Sequence, residues 1–121
     1  FWRQYVDAMN DFRMDMALHS SMALVSDLNQ LIDRQKPWAN TSAKHRQCDL
    51  TICAEFLRHI ALALLPFIPQ TARRMAQQLG LPSAAKMLDR DFVITQAMKE
   101  WGGEKGWKKI GKPAILFPPV P

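Results

Sequence analysis

The amino-acid sequence predicts an all-α protein, an antiparallel bundle of four to five helices followed by an extended C-terminal strap. Apolar residues recur three and four positions apart over most of residues 1–65, which is the spacing of amphipathic helices. Proline and glycine stand where helices should end, at Pro37, Pro66 and Gly80. Repeated prolines after Ile110 exclude a helix or a central strand there, so residues 104–121 should form a strap lying across the helices.

Length and composition indicate one folded domain, residues 1–121. Hydrophobic residues make up 48% and charged residues 22%, which is typical of a globular chain rather than a disordered one. The longest apolar run, 60–68, is shorter than the ~20 residues of a membrane-spanning helix, so we expect no membrane partner. The net charge of +5 mildly favours a polyanionic partner such as nucleic acid. Because the chain lacks an initial Met, we expect it to be a fragment of a longer protein.

Two amphipathic helices are predicted first, over residues 1–12 and 14–35. The first should bury Trp2, Tyr5 and Phe12 in a core shared with three later aromatic residues, Phe56, Phe67 and Phe117. The apolar stripe of the second helix comprises Met14, Ala17, Leu18, Met22, Val25, Leu28 and Ile32. Asn29 falls on or beside this stripe, so we expect its amide to be buried, hydrogen-bonded and structural.

The second helix should end before a Pro-Trp pair. Proline disfavours helical geometry in the residue before it, so Lys36 is predicted to be extended. Trp38 is then carried off the helix end, beside Arg34 and Lys36. Asp33 could orient this corner through backbone amides. Residues 36–46 are predicted to form a polar loop, the kind of segment that often holds binding residues.

Further helices are predicted over residues 47–65, from Pro69 to Gly80 and, less regularly, over 92–98. His59 lies beside the apolar stripe of the 47–65 helix, and we expect a half-buried, hydrogen-bonded histidine rather than a ligand. Cys48 and Cys53 could bind a metal ion together with His45 or His59. The pair is better explained as two buried small hydrophobic residues in a reducing compartment.

Residues 29–38 fit the pattern N-x-x-I-D-x-x-x-P-W, residues 65–72 have the sequence LPFIPQTA, and residues 110–118 have the sequence IGKPAILFP. These three segments, in order along the chain, resemble the anticodon-binding domain of class I methionine–tRNA ligases. The resemblance implies a helical bundle and a tryptophan that stacks on an anticodon base, which corresponds to Trp38. The expected partner is the anticodon loop of tRNA(Met). The RNA-binding residues are predicted to be Trp38, Pro37, Asp33, Lys36 and Arg34, with Asn29 supporting the site.

No catalytic motif is present in the sequence, including the H-I-G-H and K-M-S-K-S signatures of the ligases' nucleotide-binding domain. We therefore expect no catalytic residue, metal or cofactor in this segment. The resemblance implies that ATP, Mg and, in many members, Zn belong to a separate catalytic domain of the same ligase, a second expected partner. It also implies the cytoplasm or, alternatively, the mitochondrial matrix. Two base-recognition residues of the family, an asparagine and an arginine, would precede Phe1, and Pro119 stands where an arginine is customary.

Two alternatives remain at this point. The chain could be the related domain of a sister ligase for valine, isoleucine, leucine or cysteine, although the Pro37-Trp38 pair argues against this. It could also be a stand-alone helical module that binds a protein. Exposed methionines and an uncharged patch around Trp38 would favour that second alternative.

Overall fold

The computed structural model describes residues 1–39, 42–103 and 107. Over these residues the chain forms α-helices and two short 3-10 turns, without any strand. The 3-10 turns are Pro37–Ala39 and Pro82–Lys86. The α-helices are α1 (Trp2–Asn10), α2 (Met14–Gln35), α3 (Ala43–Leu64), α4 (Pro69–Leu79) and α5 (Gln96–Lys99). The predicted all-α bundle is confirmed.

Consecutive helices are neighbours in the bundle: α1 packs on α2, α2 on α3, and α3 on α4. Short connections between packed helices make successive helices antiparallel. The C-terminal half of α3 lies at the centre, because every residue from Ile60 to Leu65 is buried. The 104–121 strap falls outside the described residues except for Trp107. The Trp107 indole donates a hydrogen bond to the Leu79 carbonyl (2.6 Å) and packs on the cluster that contains Leu62.

Helix α1 is attached to α3 by two aromatic side chains. The Tyr5 hydroxyl is buried and donates to the Ala63 carbonyl (2.7 Å), while the Trp2 indole donates to Nδ1 of His59 (2.8 Å). Phe12 does not join this core, contrary to the prediction, and is 87% exposed. Its φ of +58° places it at the left-handed position that ends α1, where its side chain leaves the helix face. The predicted core residue Phe117 lies outside the described residues.

Helix α2 has the predicted bounds, but its buried face is rotated from the predicted one. Ala17, Ser21 and Leu28 are its buried residues, whereas three residues assigned to the buried stripe are exposed, namely Met14, Leu18 and Met22. Ala17 packs with Tyr5 and Ala63, so small residues mark the side of α2 that faces α1 and α3.

Asn29 is exposed, so the prediction that its amide is buried is wrong. Each helical residue is turned about 100° from the one before it, so Asn29 lies well away from the direction of Leu28. Leu28, at the centre of the packed face, is only 4% exposed.

Helix α3 begins at Ala43, earlier than the predicted start at residue 47. Ser42 is the N-cap, with its hydroxyl accepting a hydrogen bond from the His45 amide (3.4 Å). The first turns of α3 are polar and exposed and therefore lack the apolar periodicity that marks the rest of the helix.

The segments after α3 agree largely with the sequence. Helix α4 begins at Pro69 and stops at Gly80 in a left-handed conformation (φ +74°), as predicted. The short helix expected over 92–98 is instead one turn, α5, capped by the Thr95 hydroxyl. Among the described helices, none has the length and apolar character needed to cross a membrane.

Candidate nucleic-acid interface

The Pro-Trp corner begins at the last turn of α2. Lys36 has φ +43° and ψ +63°, so it is left-handed and the predicted extended conformation is wrong. Its amide still donates to the Ile32 carbonyl (2.9 Å), which is the single bond of a left-handed helix cap. The proline after Lys36 disfavours right-handed helical geometry, and the left-handed cap avoids that geometry while satisfying an end carbonyl of α2.

The next three residues form a 3-10 turn that presents Trp38 to solvent. The Ala39 amide donates to the Lys36 carbonyl (2.8 Å), and the Pro37 ring between them is buried. This turn contacts α3. Trp38 is 68% exposed, which confirms the expected accessibility of its ring. A large aromatic face is therefore displayed from a backbone that is anchored on both sides.

The charged residues around this corner are mainly cations. Arg34 and Lys36 lie at the end of α2, and Lys44 and Arg46 lie in the first turn of α3; all four are exposed. Asp33 is the acidic residue next to them and is exposed as well. In the described part of the chain, the ion pairs within 4 Å all belong to a separate cluster on α3. The cations at the corner are thus available to an anionic partner.

The sequence-predicted site residues lie together at one end of the bundle. Asp33, Arg34, Lys36, Pro37 and Trp38 are consecutive or nearly so along the end of α2 and the turn. Asn29 lies one helical turn before Asp33 on the same face of α2, and both side chains are exposed. The structure therefore places Asn29 at the surface beside the site rather than in a supporting core.

A buried polar cluster on α3 was missed by the sequence reasoning. Arg58 is fully buried and donates two hydrogen bonds to Oε1 of Glu55, from Nε (3.1 Å) and Nη2 (2.6 Å). It also donates to the carbonyls of Met98 and Glu100, both at 2.7 Å. The Gly102 amide donates to the same Glu55 oxygen (2.7 Å). These bonds attach the segment containing α5 to the middle of α3.

His59 extends this polar cluster to α1. Its Nδ1 accepts the Trp2 indole hydrogen bond, which confirms the predicted hydrogen-bonded core histidine, although the residue is buried rather than half-buried. The other ring nitrogen, Nε2, lies 3.3 Å from Glu55 Oε1, and the ring stacks on Trp101. The Glu-x-x-Arg spacing inside an apolar helix was the one sequence signal for this cluster.

Burial and charge shift the two titratable groups of the cluster. Burial lowers the pKa of His59, the Arg58 guanidinium lowers it further, and Glu55 only partly offsets this. Burial alone would raise the pKa of Glu55. Hydrogen bonds from Arg58 and the Gly102 amide, together with the guanidinium charge, outweigh burial and leave that pKa lowered. A neutral His59 beside an ionised Glu55–Arg58 pair is therefore the favoured state.

The prediction that both cysteines are buried is wrong. Cys48 is exposed because it lies in the solvated first half of α3, whereas Cys53 is half-buried. Burial raises the pKa of the Cys53 thiol, with Asp49 adding to the effect. Within residues 1–39, 42–103 and 107, no three His, Cys, Asp or Glu side chains are placed to hold a metal ion.

The family model described as "Anticodon-binding domain of tRNA ligase" matches residues 2–112. The chain belongs to this family. The matched range contains the corner, the cluster on α3 and all five helices of the described bundle.

Several relatives of this anticodon-binding domain are named methionine–tRNA ligases. Those from Fusobacterium nucleatum and Rickettsia conorii are each 30% identical to the chain, over 90% and 98% of its length. The one from Listeria innocua is 34% identical over 89% of the chain. The chain spans only about a fifth of these relatives, since the matches cover 17%, 22% and 15% of their lengths. No solved structure gives a significant match.

Proposed function

We propose that this domain binds the anticodon loop of tRNA(Met) on behalf of a methionine–tRNA ligase, and that residues 1–121 form one domain of that larger enzyme. The observation that carries the proposal is Trp38, 68% exposed on an anchored turn, in a chain of the anticodon-binding family. The residue lies in the segment that resembles the Pro-Trp element of methionine–tRNA ligases.

Single-stranded loop bases are recognised by stacking on aromatic rings and by hydrogen bonds to their edges. Stacking of one anticodon base on Trp38 would contribute about 1–3 kcal/mol. The exposed cations at the ends of α2 and α3, Arg34, Lys36, Lys44 and Arg46, would contact phosphates and make the affinity salt-dependent. Buried Pro37 would hold the turn while the base is bound.

One acidic side chain, Asp33, and one amide side chain, Asn29, lie at the edge of this site. Asp33 is exposed and can accept hydrogen bonds from the amino group of a base or from a backbone amide. Asn29 is exposed one turn earlier and would act at the RNA surface instead of through the core. We expect Asn29→Ala to leave the free energy of unfolding within about 0.5 kcal/mol of the parent value, since surface substitutions rarely do more.

The parent enzyme is proposed from the relatives, which carry the matching segment inside much longer chains named methionine–tRNA ligases. Its activity would be the attachment of methionine to tRNA(Met), with ATP, Mg and, where present, Zn held by a separate catalytic domain. That domain and the tRNA are the proposed partners, in the cytoplasm or the mitochondrial matrix. In this proposal the present segment supplies recognition and no catalytic group.

The test replaces Trp38 by Ala in the full-length ligase. Aminoacylation of tRNA(Met) should fall by the equivalent of about 1–3 kcal/mol in kcat/KM, while methionine-dependent pyrophosphate exchange into ATP stays unchanged. Phe12→Ala is a matched control, because Phe12 is an exposed aromatic at the opposite end of α2, about 33 Å away for 22 residues. Equal aminoacylation by both variants and the parent would contradict the proposal, as would an equal loss in both.

A protein-interaction module is the second candidate, and one observation favours it. Met14, Leu18 and Met22 share a face of α2 and are 50%, 38% and 51% exposed. This apolar face is at the other end of α2 from the cationic corner, so it is not the uncharged patch around Trp38 that such a module requires. Met22→Ser in the full-length ligase should therefore leave aminoacylation of tRNA(Met) unchanged. A loss as large as that of Trp38→Ala would contradict the assignment of RNA recognition to the corner.

A further inference from the structure

We propose that Lys36 is a positioning residue: its left-handed backbone sets the direction in which Trp38 leaves α2, and its side-chain charge is not needed for this. The importance of that direction for RNA rests on the function proposed above. The geometry of the corner itself does not depend on it. This role of the Lys36 backbone is distinct from the phosphate contact expected of the Lys36 ammonium group.

The backbone of Lys36 joins α2 to the 3-10 turn, and its conformation and hydrogen bonds support this role. Lys36 is one of two residues other than glycine with positive φ among the described residues; the other is Phe12, which ends α1. The amide of Lys36 donates to the Ile32 carbonyl (2.9 Å), and its carbonyl accepts from the Ala39 amide (2.8 Å). One residue thus closes the last turn of α2 and also opens the turn that carries Trp38.

The left-handed conformation is unfavourable for a residue with a Cβ atom, which approaches the following carbonyl oxygen. An extended residue before Pro37 would satisfy the preference of pre-proline residues without that penalty. The folded corner nevertheless holds Lys36 left-handed, with Pro37 buried and Trp38 at 68% exposure. A change in the backbone of Lys36 would therefore redirect Trp38 while leaving the body of α2 in place.

The first experiment compares glycine and alanine at this position in the present chain, by urea unfolding. Both substitutions remove the lysine charge, and they differ only by a Cβ atom. Because glycine adopts positive φ freely, Lys36→Gly should have a folding equilibrium constant about fivefold larger than Lys36→Ala. The matched control is Gln30, an exposed residue inside α2, where the order should reverse and alanine should be favoured about fivefold. The same order at both positions would overturn the proposal.

The second experiment observes Trp38 directly. The chain has four tryptophans, so 5-fluorotryptophan labelling gives four ¹⁹F resonances, and Trp38→Phe identifies the one that belongs to Trp38. Lys36→Val, whose β-branched side chain is poorly suited to positive φ, should shift or broaden that resonance and leave the others in place. Lys36→Gly should leave all four unchanged. A Trp38 resonance that is the same in the Val and Gly variants would overturn the proposal.

The third experiment measures binding of a stem-loop with a CAU anticodon to the full-length ligase. Lys36→Gly and Lys36→Val carry the same charge, so their affinities should show the same salt dependence. The Val variant should bind roughly threefold or more weakly, and this difference should vanish when Trp38→Ala is added. A difference that persists without Trp38 would overturn the positioning role. If the parent ligase fails to distinguish the stem-loop from other RNA, the proposed function fails, while the unfolding and ¹⁹F results still decide the role of Lys36.

Discussion

Replacement of Arg58 by methionine is the perturbation to which the fold should respond most strongly. The side chain is 0% exposed and donates four hydrogen bonds to oxygen atoms, two to Glu55 and one each to the carbonyls of Met98 and Glu100. Its Nη2 also lies 3.1 Å from Nε2 of His59. Methionine keeps an unbranched apolar side chain, although a shorter one, and has no hydrogen-bond donor. The Arg58→Met variant therefore leaves a carboxylate, 5% exposed, without its cationic partner.

The expected loss is about 3–5 kcal/mol of unfolding free energy, the usual result of removing one partner of a buried ion pair. Most of it comes from Glu55, because its carboxylate is both buried and charged, whereas the Met98 and Glu100 carbonyls that lose a donor are neutral. Replacing both Glu55 and Arg58 by methionine should then cost less than the sum of the two single replacements, since neither charge remains unpaired.

The assay is urea unfolding followed by far-ultraviolet circular dichroism at neutral pH. Arg74→Met is the matched control, because Arg74 is an exposed arginine on α4 and should change the unfolding free energy by less than about 0.5 kcal/mol. The loss of unfolding free energy in Arg58→Met, relative to the parent chain, should also become smaller as the pH falls, since protonation removes the unpaired charge of Glu55. A loss below about 1 kcal/mol, or additive effects in the double variant, would refute this account of the cluster.

Four further predictions concern the attachment of α1 to α3 and the turn that follows α5. Tyr5→Phe removes the hydrogen bond to Ala63 and should reduce the unfolding free energy by about 1 kcal/mol in urea unfolding; no change would show that the bond is not formed. Burial raises the Tyr5 pKa to about 12, so ultraviolet absorbance should detect no titration of this phenol near its ordinary pKa of 10.0. The lowered pKa of His59 contributes stability that is present above its ordinary pKa of 6.5 and is lost as the pH falls through the folded-state value. The pH profile of the unfolding free energy should therefore decline more below 6.5 in the parent chain than in His59→Gln, and equal slopes would contradict the assignment. Gly103→Ala would place a Cβ atom on the backbone carbonyl of Ala97 and should cost about 1–3 kcal/mol in the same assay, whereas an unchanged midpoint would show that this turn relaxes freely.

The parts of the fold that follow from local signals were predictable. The bounds of α2 and the stop of α4 at Gly80 depend on apolar periodicity and on the conformational limits of proline and glycine, all of which are visible within a few residues. The start of α3 was missed because its first turns face solvent. The Ser42 cap was the available signal, but it is weaker than periodicity.

The parts that depend on distant partners were not predictable. Arg58 is bonded to carbonyls 40 and 42 residues further along the chain, and a backbone carbonyl has no sequence signature. The face that α2 buries was misplaced because it includes Ser21, a polar residue that hydrophobic periodicity does not select. Ser21 is 0% exposed, and its hydroxyl donates to the Ala17 carbonyl (2.9 Å).

At the candidate site, the sequence indicated the exposed Trp38 but not the conformation that holds it. The rule for residues before proline gives the regions that Lys36 avoids. It does not decide between an extended chain and a left-handed helix cap. That choice depends on the Ile32 and Ala39 hydrogen bonds, which exist only in the folded corner.

Competition binding is the decisive test of the proposed recognition of the tRNA(Met) anticodon through Trp38. Stem-loops with a CAU anticodon and with each single-base change compete for the full-length ligase at one fixed salt concentration. The CAU stem-loop should bind most tightly, and Trp38→Ala should weaken CAU binding by about 1–3 kcal/mol without altering the salt dependence. Equal affinities for all the stem-loops, or a Trp38→Ala variant that retains the full affinity and preference for CAU, would contradict the proposed recognition.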